Sequence, residues 1–432
     1  MNKIVTIISL VLTVSSASAQ HEWTLQECTN YAVENNIQVK KSEQSLESQE
    51  IRLNSSQNAY LPEVSASASQ NFSFGRGLTA NNTYSNTNTR TTSFSVGASM
   101  TLFNGFQRKN NVELNKLNLS AYSADLEKTK NDIRLQVAQA YVQILYNMEI
   151  EDVAYRQTQI DFAQVNRLET FVANGKASEA ELAQQKAAHA NSILTYTQAI
   201  NTRKLSLLTL SQLLELPSAD SFAIARPDTS QLSIVNYPLS INYDRPEIKA
   251  EEIRLDATEY NLKVAKGGYY PTLTLSGGMS TNYYTASNLP SESFSKQIDN
   301  NFSQYISLNL NIPIFNRFST RNNVRDVKIQ QHSQQYTLDL ARKTLYKDIQ
   351  QVTLNAENAA AKVTAAREAV ANSETAFRLA QARYENGKST ITEFNESKNS
   401  YMKSQSDLAQ AVYECMYCAM LVKWYQGEEM GW

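Results

Sequence analysis

Helix breakers are scarce in this chain. Of 432 residues only 12 are glycine and 8 are proline, which excludes a fold assembled from many short elements and favours long uninterrupted ones. Cysteine and histidine each occur 3 times. Cys28, Cys415 and Cys418 are too few for a disulfide scaffold, and His21, His189 and His332 are scattered without forming a ligand cluster. Cys415-Met416-Tyr417-Cys418 spells C-x-x-C, but it sits among Val412, Ala419 and Leu421 in a helical run and has no second pair for zinc. Two small buried residues are the expectation there, with a bond from Cys28 to Cys415 or Cys418 as the lesser alternative in an oxidising compartment. The formal net charge of −2 leaves no basic footprint for nucleic acid. Asn174-Gly175-Lys176 lacks the glycine spacing of a phosphate loop, and no nucleophile is paired with a base. Neither an enzyme, a cofactor nor a metal site is expected. After the first residues, no stretch approaches the roughly 18 consecutive apolar residues that a membrane helix needs. If this chain enters a membrane, strands must carry it.

What is present begins with an export leader over residues 1–19. Lys3 gives a positive start, Ile4 to Val14 an apolar run, and Ala17-Ser18-Ala19 a small-residue cleavage site before Gln20. No cysteine follows directly, so a lipid anchor is not expected.

The chain then repeats itself. Asn36-Ile37-Gln38-Val39 matches Arg245-Pro246-Glu247-Ile248, and Tyr60-Leu61-Pro62 matches Tyr269-Tyr270-Pro271 at the same offset. Phe103-Asn104-Gly105-Phe106 matches Phe315-Asn316-Arg317-Phe318, Asn110-Asn111-Val112 matches Asn322-Asn323-Val324, and Asn174-Gly175-Lys176 matches Asn386-Gly387-Lys388, all at an offset longer by one three-residue insertion. The organisation expected is a first repeat over 20–217, a connecting segment over 218–244, a second repeat over 245–426 and a tail over 427–432.

Each repeat predicts helix, strand, loop, strand, long helix, turn and helix. Phe94, Val96, Ala98, Met100 and Leu102 alternate with Ser93, Ser95, Gly97, Ser99 and Thr101, the period of a strand. Strands are expected over Glu63 to Phe74, Thr91 to Phe103, Thr272 to Met279 and Phe302 to Phe315. The longer of these reach the roughly 9 to 11 residues of a tilted membrane strand. Asn81 to Asn88 and Tyr283 to Asn300 read as polar rim loops. No glycine or proline interrupts Gln107 to Ala173 or Ser319 to Asn386, so each predicts a helix of about 100 Å at the usual rise per residue. Along the second, Leu338, Ala341, Leu345, Ile349, Val352, Ala356, Ala359, Val363, Ala366, Val370, Ser373, Phe377, Ala380 and Tyr384 form a heptad stripe. Both runs stop at Asn-Gly, where glycine takes the left-handed conformation that ends a helix. Return helices are expected over Ser178 to Leu216 and Ser389 to Tyr425.

Four membrane strands cannot close a barrel, and lipid does not tolerate open strand edges. Three copies would supply twelve strands, an allowed even number, together with six helical hairpins to surround a central space. The fold class expected is therefore a mixed α+β membrane protein, a trimeric 12-stranded β-barrel continued by a long α-helical coiled-coil barrel, with internal duplication.

Over its whole mature length the chain resembles the TolC-like outer-membrane efflux protein family. The duplicated Tyr-Leu-Pro and Tyr-Pro segments carry the resemblance, with Leu102-Phe103-Asn104-Gly105, Ile314-Phe315-Asn316, Leu213-Leu214-Glu215-Leu216-Pro217 and the tip segments Asn174-Gly175-Lys176 and Arg383-Tyr384-Glu385-Asn386-Gly387-Lys388-Ser389. The closing Trp424-Tyr425-Gln426-Gly427 is similar to Bacteroidetes members. The resemblance implies a homotrimer in outer-membrane lipid that extends into the periplasm, where its tips at Gly175, Lys176, Gly387 and Lys388 dock an adaptor protein serving an inner-membrane pump. It also implies that Glu393 and Glu396 form stacked acidic rings at the periplasmic entrance, a charge arrangement that favours cations, and that Tyr384 and Glu181 latch the hairpins. Ser389 stands where the family has an arginine, so the latch transfers only in part. Export of drugs, toxic compounds or metals is the function implied. A protein or peptide secretion duct, or a pore-free periplasmic coiled-coil protein, are the alternatives.

Overall fold

The computed structural model describes residues 22–78, 82–217, 223–227, 244–287 and 289–428. The expected leader, most of the connecting segment and the end of the tail lie outside the described residues. The first half runs β1 (Glu22–Trp23), α1 (Leu25–Asn35), α2 (Ile37–Asn58), β2 (Glu63–Ser73), β3 (Arg76–Leu78), β4 (Tyr84–Asn86), β5 (Thr89–Asn104), α3 (Gln107–Ala173) and α4 (Glu179–Leu213). The second half runs β6 (Ala223–Ile224), α5 (Pro246–Gly267), β7 (Thr272–Ala286), α6 (Phe294–Asn300), β8 (Ser303–Asn311), α7 (Ser319–Glu385) and α8 (Ile391–Gln426). Among the described residues two compact units result, each drawing on both halves of the sequence: those within Met1–Lys41, Thr129–Asn242 and Leu345–Trp432 form one, those within Ser42–Lys128 and Tyr243–Thr344 the other.

The second unit holds a four-stranded antiparallel sheet in the order β2-β5-β7-β8. Its register sorts side chains by chemistry. Val64, Ala98, Gly277 and Ile306 share one row, Met100, Leu275 and Leu308 another, and Ala66 and Val96 sit beside Met279 on the same face. The opposite face carries Ser67, Ser95, Ser280 and Ser303 in one row, Ser65, Gly97, Gly278 and Tyr305 in the next, and Glu63, Ser99, Ser276 and Ser307 in the one after. The apolar face is bare: Ile306 is 87% exposed and Val64 66%. A sheet this apolar on an uncovered face needs a non-aqueous surround.

Three strand expectations are corrected. β8 stops at Asn311 rather than Phe315, because Pro313 has no N–H for a ladder. β7 runs on past Met279 to Ala286, paired with β5 throughout. A register shift between Thr101 and Phe103 ends the strict alternation at Leu102 and sets Phe103 opposite Leu273, as a bulge re-aims the residues after it. The rim segments are also less irregular than expected. The first contains β4, paired with β3 just before the segment, and the second the short helix α6.

Each sheet-to-helix corner is built from two consecutive left-handed residues, Gly105 (φ 65°) with Phe106 (φ 62°) and Arg317 (φ 56°) with Phe318 (φ 60°). Phe103–Phe106 and Phe315–Phe318 both pack edge to face, with ring centroids 5.3 and 5.4 Å apart. The copies differ for a reason. A Cβ at Gly105 would lie 2.4 Å from the Gly267 carbonyl oxygen, so the first corner requires glycine where the second accepts Arg317. Tyr60, Phe106, Tyr269, Tyr270, Phe315 and Phe318, all exposed, gather at the end of the sheet where the helices begin. Aromatic side chains suit the boundary between lipid and water.

From Leu345 onward α7 belongs to the other unit, where the long helices pack along the predicted stripe. Every stripe residue of α7 is buried or half-buried. Ala359 and Val363 meet Ala411, Cys415 and Cys418 of α8 in one cluster, and the small side chains allow close helix approach. All three cysteines are free and buried, so the alternative Cys28 bond is not formed. Cys28 lies on α1 near Tyr141, whose hydroxyl donates to the Ala225 carbonyl (2.7 Å) with the Trp23 carbonyl also within reach (3.0 Å).

Candidate functional site

The helical tips are twin structures. After α3, the amide of Gly175 donates to the Val172 carbonyl (2.9 Å) and that of Lys176 to Phe171 (2.8 Å). After α7, Gly387 donates to Tyr384 (3.0 Å) and Lys388 to Arg383 (2.8 Å). This is the paired Schellman arrangement, with glycine at the left-handed position; φ is 70° at Gly175 and 69° at Gly387. The return helices start on side-chain caps. Ser178 accepts from the Glu181 amide at 3.2 Å and Thr390 from the Glu393 amide at 3.2 Å, satisfying amides that the first turn leaves free. Gly175, Lys176, Gly387 and Lys388 are all exposed, and a Cβ at either glycine would meet nothing within 4 Å.

Beneath the tips lies an apolar core of Leu168 on α3, Phe377 on α7, and Ile391 and Phe394 on α8. Tyr384 stacks on Phe394 with centroids 5.4 Å apart. Burial pushes the Tyr384 hydroxyl pKa above its ordinary value, and the nearby Glu181 carboxylate raises it further. The structure thus brings Tyr384 and Glu181 into one neighbourhood. The Glu181 carboxylate itself accepts from the Ser178 amide at 3.2 Å, closing a capping box.

Position 389 was the missing charge in the latch, and the structure supplies one elsewhere. Arg167 of α3 reaches Glu385 of α7 twice, pairing with its carboxylate at 3.2 Å and donating to its carbonyl at 3.2 Å. The guanidinium also lies 6.0 Å from the centre of the Tyr384 ring. A charged tie between the two hairpins therefore exists, carried by α3. Sequence reading missed it because no repeat partner or motif marks Arg167.

Glu393 and Glu396 are exposed on the first turns of α8, opposite the face that buries Ile391, Phe394 and Lys398. In a single chain they are two solvated carboxylates on one helix face. A second feature escaped the sequence entirely. Lys398, just beyond Glu396, forms a buried ion pair with Asp161 of α3, the two side chains 2% and 0% exposed.

A scan against protein families matches the outer membrane efflux protein model to residues 29–215 and 241–415. The chain belongs to this family. Membership places it in the outer membrane and in efflux, and the bare apolar sheet face is the part shaped for lipid. Among relatives, the chain is 23% identical to the outer membrane efflux protein BepC of Brucella suis over 403 residues, 93% of this chain and 85% of that one. It is 22% identical to the outer membrane protein TolC of Vibrio cholerae over 318 residues, 72% of this chain and 71% of that one. Among solved structures, the Campylobacter jejuni CmeC outer membrane channel superposes with a TM-score of 0.80 at 18% identity, covering 93% of this chain and 85% of that one. The efflux fold is thus shared over nearly the whole chain, although few residues are. The two matched segments leave residues 216–240 between them.

Proposed function

We propose that this chain is one subunit of a homotrimeric outer-membrane duct that passes small solutes outward, working with a periplasmic adaptor protein and an inner-membrane pump. The observation that carries the reading is the sheet. One face is apolar and uncovered in its Val64, Ala66 and Met100 rows, the other is mostly serine, threonine and asparagine with Glu63 and Tyr305 among them, and neither β2 nor β8 has a strand on its outer side in the four-strand order. Lipid accepts such a sheet only once its edges are paired. Pairing β2 of one copy with β8 of the next, three times, closes twelve strands with the hydroxyl face toward a water-filled lumen. The large apolar side chains left exposed off the α7 stripe, Tyr336, Leu340, Leu354 and Leu379 among them, supply helical surface for the same neighbouring copies.

In the proposed organisation residues 1–19 are removed on export and the repeats span 20–217 and 245–426. The four tip residues Gly175, Lys176, Gly387 and Lys388 meet the adaptor, for which their exposure and empty surroundings are suited. Glu393 and Glu396 line the entrance as two rings of three carboxylates, while Tyr384, Glu181 and Arg167 hold neighbouring hairpins together behind them. Rings of carboxylates favour cations. The test is single-channel recording in planar bilayers. The double variant E393Q/E396Q is expected to conduct more and to lose cation preference, and an unchanged permeability ratio would remove the rings from the entrance. Growth of a deletion strain across a panel of toxic compounds and metals identifies the solute class.

A further inference from the structure

The buried ion pair beneath the tip does more than its neighbours require. Asp161 on α3 is fully buried and Lys398 on α8 nearly so. The Lys398 ammonium donates to Asp161 Oδ1, and the Gln185 amide of α4 donates to the same oxygen at 3.0 Å. Asn395, which stands between Glu393 and Glu396 in sequence, donates to Gln185 Oε1 at 3.2 Å. Three helices therefore meet through one carboxylate. The network is incomplete: Asp161 Oδ2 and Asn395 Oδ1 are buried and have no hydrogen-bond partner.

A buried pair of this kind is weak ground for stability. Taking both charges out of water is costly, and well-packed apolar residues of similar volume often hold a fold as well or better. Orphaned buried acceptors add to the cost. What such a pair supplies is position. An apolar contact between α3 and α8 tolerates sliding by part of a turn, whereas separating Lys398 from Asp161 leaves a bare charge in a dry interior. The buried stripes here include small and interchangeable residues, with Ser192 and Ala199 on α4 and Ser404, Ala409 and Ala411 on α8, so along those stretches they define axial register poorly.

We propose that Asp161, Lys398, Gln185 and Asn395 form a register lock that joins the α3–α4 hairpin to the first turns of α8 and fixes where Glu393 and Glu396 project. These four are positioning residues, acting through the helix that carries the two glutamates. The proposal rests on the reading that Glu393 and Glu396 line the entrance, and the two are separable by experiment. The lock sets how many conductance levels the entrance adopts, while the glutamates set which ions pass.

The experiment uses the full-length trimer in planar bilayers, with the dissociation temperature of the trimer measured alongside. The variants are K398M, D161N, the double apolar D161L/K398M and the charge exchange D161K/K398D. Each single variant is expected to lower the dissociation temperature and to spread the single conductance level into several. D161L/K398M is expected to keep or raise the dissociation temperature and still show several levels, a separation that a purely stabilising role would not give. D161K/K398D is expected to recover one level. A single wild-type level in D161L/K398M overturns the lock, as does failure of the exchange to recover it while trimers assemble. Loss of cation preference in E393Q/E396Q with one level retained supports the division of roles; if the ratio does not change there while D161L/K398M still shows several levels, the lock stands and the rings fall.

Discussion

At the scale of single residues, two glycines with nearly the same backbone do different work. Gly105 and Gly175 both sit in the left-handed region, at φ 65° and 70°. The Gly267 carbonyl oxygen would lie 2.4 Å and the Tyr270 Cβ 2.8 Å from a Cβ on Gly105, while nothing lies within 4 Å of one on Gly175. G175A is expected to cost only the left-handed penalty of about 1–2 kcal/mol, confined to the tip. G105A adds overlap with backbone, a further cost of about 1–3 kcal/mol, and is expected to misplace the corner between β5 and α3. Yield of folded, heat-modifiable trimers separates the two. Lys398 and Asp161 make the opposite point. Each alone looks like a solvated helix charge, and only their meeting turns them into a constraint.

At the scale of elements, the register of β7 against β8 decides which side chains meet lipid. Leu308 lies opposite Leu275 on the apolar face, and its neighbour Asn309 lies opposite Thr274 on the polar face. Adjacent substitutions should therefore behave oppositely. L308R places an arginine toward the bilayer core, at a cost of about 2–4 kcal/mol near the midplane, and is expected to reduce assembly in outer-membrane fractions. N309R points into the lumen and is expected to assemble normally while shifting ion preference toward anions. Equal assembly of the two variants would reverse the assignment of faces. The helices owe their ends to local chemistry. Ser178 and Thr390 cap the return helices, and Asn-Gly ends the outgoing ones, so the tips form from a few residues within a single chain.

At the scale of the whole molecule, burial of phenol groups among the helices links stability to alkaline pH. Tyr384, Tyr401, Tyr413 and Tyr417 all have pKa values raised above the ordinary value, chiefly by burial and then by neighbouring groups, Glu181 for Tyr384, Glu374 for Tyr401, Glu149 for Tyr413 and the Cys418 thiol for Tyr417. A folded pKa raised above the unfolded one means that the neutral form is favoured by folding. The contribution is complete below the ordinary tyrosine value of about 10 and is lost as pH rises through the folded values. A fraction of the tyrosinate absorbance, that of these four rings, is expected to lag behind free tyrosine on titration and then to rise together with loss of helical circular dichroism. Complete titration of every tyrosine at the free value with helix content intact would contradict the packing around these rings.

Much of this protein is legible in its amino-acid sequence. The duplication, the long helices within a residue of their ends, the alternating strands and the Asn-Gly tips all arise from local rules, in which side-chain period and backbone preference act over a few residues. The end of β8 was missed although Pro313 marked it, because the alternating pattern outweighed the lost N–H. The tertiary structure alone decided what depends on distant residues meeting: the bulge that re-aims Phe103, the Gly105–Gly267 approach, the Arg167–Glu385 tie and the Asp161–Lys398 pair. The physical reason is that local periodicity records which face of an element is apolar, whereas a buried charge is defined by its partner, here 237 positions away along the chain.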